Sequence, residues 1–217
     1  FTAVNPQVPE PLLIVNPSAF FFNQIPIGDI TVNGAVQTLG SGSLTFLGGN
    51  ITIENALVRS QGRQINLGSV GETSRVRIGN NEQLTFPNNL QRGDIRVAGA
   101  LINLGITNES VDIVMTARNI AIENFSFLTV DAVPAPANID IPPQLSAIIL
   151  DAADTLRVAS SFIINNSGGV SANARSISLE DGSVMTTTDS SIFPDNRQTI
   201  TGDITLTASE NLFMSSS

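Results

Sequence analysis

The sequence predicts an all-β chain wound as a parallel β-helix, and three observations carry that reading. The tripeptide Gly-Asp-Ile occurs at Gly28-Asp29-Ile30, Gly93-Asp94-Ile95 and Gly202-Asp203-Ile204, with a near-copy at Val111-Asp112-Ile113. Each copy opens a run with apolar side chains at i and i+2, such as Ile95-Arg96-Val97 or Ile204-Thr205-Leu206, the period of a strand with one buried face. A second apolar run follows seven or eight residues later, across turns rich in Gly, Asn, Asp, Ala and Ser. Units of this kind bury their apolar faces only by stacking on one another, as a solenoid does.

The elements follow in order. Leu44 leads to Ile51 and Ile53, Ile113 to Ile120 and Ile122, and Ile148 to Leu156 and Val158. Val170 leads to Ile177 and Leu179, and Ile204 to Leu212 and Met214. A third strand shows at Phe125-Ser126-Phe127-Leu128 and Ser161-Phe162-Ile163-Ile164. Coil starts at Ile148 and Val170 are 22 residues apart, while the steps from Ile113 to Ile148 and from Val170 to Ile204 are 35 and 34. Both longer steps contain an insertion, at 131–145 and 189–201, and removing about a dozen residues from each restores a coil of roughly 22. Ile65 and Ile95 are placed as further coil starts. With coils ~4.8 Å apart, about eight or nine of them make a rod on the order of 40 Å long. No stretch of 12 or more residues keeps a helical i, i+3, i+4 pattern free of Gly, Asn and Pro. An immunoglobulin-like sandwich also has short strands between turns, but it does not explain the same turn chemistry returning with the same motif.

Composition narrows the function. The net charge is -9, only 13% of residues are charged, and Cys, His, Trp and Tyr are absent. All ten basic residues are Arg. Such a surface is a poor match for nucleic acid or an anionic membrane. There is no disulfide and no thiolate metal site. No run of 18 apolar residues offers a membrane-spanning helix; apolar stretches such as Ala19-Phe20-Phe21-Phe22 are far too short to span anything. The start at Phe1 and the stop at Ser215-Ser216-Ser217, just after Phe213, read as those of an internal or processed segment.

Residues 4–25 contain Asn5-Pro6, the Pro-rich Val8-Pro9-Glu10-Pro11, then Val15-Asn16-Pro17-Ser18-Ala19-Phe20 and Phe22-Asn23-Gln24. Leu44 to Leu67 continues with a strand, Gly48-Gly49-Asn50, Ile51-Thr52-Ile53 and Gly62-Arg63-Gln64-Ile65-Asn66-Leu67. Over its first seventy residues the chain resembles the later part of the secretion domain of filamentous-haemagglutinin-like proteins, in their cyanobacterial form. The resemblance implies residues 1–70 as secretion-domain-like coils, with 71–217 continuing a single right-handed parallel β-helix. It further implies export by two-partner secretion through an outer-membrane transporter, and a place at the surface of a Gram-negative-type bacterium or outside it. The chain has no Asn-Pro-x-Gly, the family's most diagnostic type of motif, so transporter recognition is not assigned to any residue. Taken physically, Pro6, Pro9, Pro11, Pro17 and Pro26 make this stretch an extended edge or a covering loop, with Phe20, Phe21 and Phe22 alternately plugging the core.

Candidate chemistry is sparse. Asp151, Asp154 and Arg157 fall at i, i+3 and i+6, and are the best carboxylate site for a carbohydrate-active β-helix. Without His, Tyr, Lys or Cys, acid–base work would rest on carboxylates alone. The plainer reading is a turn Asp and exposed strand charges. Asp29, Asp94, Asp112 and Asp203 form either a column of calcium ligands along one edge or Asp caps of local turns, the latter preferred. Asn80, Asn81, Asn88 and Asn89 serve turns, and Gly168-Gly169 lacks the Lys of a phosphate loop. The expectation is therefore no catalytic, cofactor or metal residues. The insertions 131–145 and 189–201, the first carrying Pro134, Pro136, Pro142 and Pro143, are the places for recognition or for covering an edge. The leading function is a secreted, non-enzymatic rod for adhesion or extracellular matrix. Its partners would be cell-surface or matrix components, with end-to-end self-association into filaments as a further option.

Overall fold

The computed structural model describes residues 19–22, 27–40, 42–79, 82–105, 111–131, 146–187 and 202–215. They are all-β, and the strands stack in parallel as the coils of a β-helix with three faces. The first face carries Leu44, Ile65, Ile113, Ile148, Val170 and Ile204 in one column, each stacked on the next. The second face stacks Ile30, Ile51, Ile95, Ile120, Leu156, Ile177 and Leu212. The third face stacks Val36, Val58, Ile102, Leu128, Ile163 and Met185.

Alternation makes these columns the interior. In Ile51–Glu54 the two Ile are buried and Thr52 and Glu54 are not, because successive side chains leave opposite sides of a strand. Each coil contributes apolar side chains from three directions, and each fully buried Ile or Leu is worth roughly 2 kcal/mol of hydrophobic transfer. The first two faces merge into one nine-stranded sheet, because Asp112–Glu123, Ser146–Ala159, Gly168–Glu180 and Ile204–Met214 run round the corner between them. Register breaks at Ala117/Asn119, Asp151/Thr155 and Ala174/Ser176 mark that corner.

The corner between the second and third faces is sharper. Asn55, Gly99, Asn124, Ser160 and Asp181 all have positive φ, from 48° to 60°. A single left-handed residue turns the chain there, and Gly, Asn and Asp adopt that conformation most readily. Two of these corners add a second such residue: Gly182 at φ 69° after Asp181 and, after Asn124, Phe125 at φ 57°, which is left 71% exposed.

The predicted steps hold: Ile113 stacks on Ile148, Ile148 on Val170 and Val170 on Ile204. The predicted third strands lie at Phe127–Val130 and Phe162–Asn165. Two expectations need correction. Ile65 starts a coil, but Ile95 stacks on Ile51 and Ile120 and belongs to the second face. The Gly-Asp-Ile copies are accordingly not one repeated position: Ile30 and Ile95 open second-face strands, whereas Ile113 and Ile204 are first-face residues. Among the described residues the deepest column has seven strands, and residues 71–92 leave the stack.

Those residues form a hairpin, Ser74–Ile78 with Leu84–Thr85, joined in antiparallel register by Ala19–Phe22. It lies over the outside of the first face. A Cβ on Gly68 would sit 2.7 Å from the Phe86 ring and 3.2 Å from Leu84, so the missing side chain is what lets the hairpin dock. The Phe residues of Ala19–Phe22 do not plug the core: Phe20 and Phe21 are 39% and 72% exposed, since this strand pairs with the hairpin and not with a coil. Residues 1–18, Asn80, Asn81, 189–201 and all of 131–145 except Asp131 lie outside the described residues.

Candidate functional site

The three residues singled out for carboxylate chemistry go to different partners. Asp151 accepts from Arg92 at 2.8 Å and from Asn173 at 3.1 Å. Asp154 pairs with Arg175 at 3.0 Å. Arg157 holds Glu123 and Glu180, each at 3.0 Å. A glycosidase needs two carboxyl groups facing one space. Here each acid is fastened to an arginine from outside its own strand, and among the described residues no three acids gather to hold a metal.

The recurring aspartates occupy two corners and do not form one column. Asp29 and Asp94 sit between the first and second faces with Asn50 between them: Asp29 accepts from the Asn50 amide at 2.7 Å, and Asn50 accepts from the Asp94 amide at 3.0 Å. Asp94 also takes Arg118 at 2.6 Å and Asn119 at 2.9 Å, and Asn119 accepts from the Thr155 hydroxyl at 2.7 Å. Asp112, at the opening of a first-face strand, accepts from the Ala147 amide at 2.9 Å. Asp203 offers its backbone carbonyl to Val170. The edge column of calcium ligands therefore does not form. The local-turn reading is corrected as well, because Asp29 and Asp112 cap amides of the neighbouring coil, 21 and 35 residues away. The Arg118 guanidinium holds the Asp94 carboxyl below the usual carboxylate range, whereas burial pushes that of Asp112 up.

Sequence reasoning missed two charge ladders. Glu54, Arg96, Glu123, Arg157 and Glu180 alternate down the outside of the second face at 3.4, 2.7, 3.0 and 3.0 Å. Beside it, Asp94 pairs with Arg118 at 2.6 Å, and Asp154 with Arg175 and Glu210 follow at 3.0 and 3.6 Å. The signal lay in the strands themselves. Ile51-Thr52-Ile53-Glu54, Ile120-Ala121-Ile122-Glu123 and Ile177-Ser178-Leu179-Glu180 share one pattern, while Ile95-Arg96-Val97 and Leu156-Arg157-Val158 share its complement. Stacking alternates them. No family model, curated protein or solved structure matches the chain.

The third face is dressed differently. Its outward column reads Ala35, Leu57, Leu101, Phe127, Phe162 and Val184. Phe127 and Phe162 stack with ring centroids 4.8 Å apart. Leu57, Leu101, Phe127 and Val184 are each between 37% and 41% exposed. The second outward column is polar or neutral apart from Arg59. Chemically, the described surface offers paired charges on one face and an apolar stripe on another.

Proposed function

We propose that this chain is a non-enzymatic rod segment of a secreted surface protein, serving adhesion or an extracellular matrix and exported by two-partner secretion. The observation that carries this reading is the use made of the acids and arginines. Glu54, Arg96, Glu123, Arg157 and Glu180 spend their charge on one another across successive coils. Exposed pairs of this kind are individually worth about 1 kcal/mol or less, so their office is to keep coils in register along a rod. The parallel stack itself needs no cofactor or staple, which suits a chain that folds after export. Its partners in this reading are the outer-membrane transporter during export and cell-surface or matrix components afterwards. Incubation with acidic polysaccharides tests the non-enzymatic claim: polymer length should stay constant, and turnover that disappears in Asp154→Asn would overturn it. Refolding from urea tests the export claim, since the diluted chain should regain its β spectrum unaided and appear as short rods by negative-stain microscopy.

A further inference from the structure

We propose that the third face is a lateral contact between two copies of this chain lying side by side and pointing the same way. The chain carries a net charge of -9, so copies repel over most of their surface. The third face is the exception. Of its twelve outward positions in the described strands, none is acidic and only Arg59 is charged. Its apolar stripe spans six strands, and Phe125, a non-Gly residue held at positive φ, adds a ring exposed to 71% beside it.

Charge decides the orientation. With both rods running in one direction and the two-fold axis along the stripe, every stripe residue meets its own counterpart. Arg59 lies two residues beyond Leu57 on the strand, and so faces the corner at Glu54 and Asn55 in the same coil of the second copy. Arg59 has no ion-pair partner among the described residues. Glu54 ends its ladder with one arginine at 3.4 Å, where Glu123 has two, and its side chain is 45% exposed. Antiparallel rods would instead set Arg59 on Ile164, leaving the cation against an apolar side chain.

The contact is small. Six strands ~4.8 Å apart and four residues wide at ~3.3 Å each make a face of roughly 300 Å², below the ~800 Å² per partner of a standard stable interface. Pairing is therefore weak between free chains, and becomes effective where rods are held close together, as on a surface.

The chain has no cysteine, which makes the test direct. Ala35→Cys and Val184→Cys mark the two ends of the stripe, and Thr52→Cys on the second face serves as control. Under oxidised glutathione, at high protein concentration, Ala35→Cys chains should cross-link with each other and Val184→Cys chains likewise. Mixed dimers between the two and dimers of the control should stay at background. Adding Arg59→Glu to Val184→Cys should lower the yield about tenfold, equivalent to ~1.4 kcal/mol of contact. Mixed dimers alone would mean antiparallel rods and overturn the arrangement. Yields equal to the control would mean that the stripe only stacks within its own chain. The inference extends the rod reading, and the two fail separately: absent cross-links leave the rod standing, whereas polysaccharide turnover removes the rod reading and leaves the cross-links.

Discussion

The coil built on Val170 and Ile177 and the coil built on Ile204 and Leu212 have the same strand pattern, the same corner and the same register. Yet Val170 and Ile177 are each 1% exposed, while Ile204 and Leu212 are 43% and 47% exposed. The difference is neighbours. Gly168–Glu180 has a strand on either side, whereas Ile204–Met214 has Gly168–Glu180 on one side alone among the described residues. In a solenoid the stability of a strand is set by its place in the stack as much as by its residues, because intrinsic and nearest-neighbour terms add along one dimension.

Hydrogen exchange should give the widest separation between the two coils. Amides of Gly168–Glu180 should exchange near the global unfolding limit and those of Ile204–Met214 orders of magnitude faster; equal protection would remove the contrast. Truncation comes next. Ile148→Ala, in mid-stack, should cost about 3–4 kcal/mol, and Ile204→Ala under about 1, read from urea midpoints. The charge ladders sharpen the comparison further. Arg157→Ala breaks two pairs at 3.0 Å in mid-stack and should cost about 1–2 kcal/mol at low salt. Arg175→Ala, whose second partner Glu210 lies in Ile204–Met214 at 3.6 Å, should cost less, and added salt should shrink both losses.

Acid titration gives the smallest effect and two opposite signs. Asp94 is held below its unfolded pKa, so its contribution is present at neutral pH and lost as pH falls through the folded value. Asp112 is raised by burial, so its contribution is greatest in acid and lost as pH rises through the folded value. Asp112→Asn should therefore slightly raise the thermal midpoint at pH 7 with no gain at pH 3, whereas Asp94→Asn should lower the pH 7 midpoint and flatten the acid loss. A fall in both midpoints at pH 7 would mean that the Asp112 carboxylate acts mainly as a cap on Ala147.

Periodicity made the strands legible, because an inward Ile every second residue is dictated by the pleat. The steps from Ile113 to Ile204 were legible for the same reason. The coil position of Gly-Asp-Ile was not. A turn before a strand looks alike at every corner, and only stacking tells the corner at Asp94 from the opening at Asp112. The hairpin of Ser74–Ile78 and Leu84–Thr85 was hidden by similar strand chemistry, and its docking depends on one absent side chain, at Gly68. The partners of the candidate acids were hidden by distance in sequence. Arg92 reaches Asp151 across 59 residues, which no local pattern encodes.

The sequence step between stacked strands, 21 residues from Ile30 to Ile51 and from Leu156 to Ile177 but 36 from Ile120 to Leu156, has a mechanical meaning. Pulled at Ile204–Met214, the stack unspools one coil at a time, each plain coil of about 22 residues releasing roughly 75 Å of extended chain. Coils carrying an insertion release more. A force trace would thus be a ruler of the fold, with short steps for plain coils and long ones for decorated coils. Ladder pairs such as Arg175 with Glu210 break between adjacent coils as each leaves, whereas the tether from Arg92 to Asp151 reaches across 59 residues and adds a longer-range bond to the coil that holds Asp151.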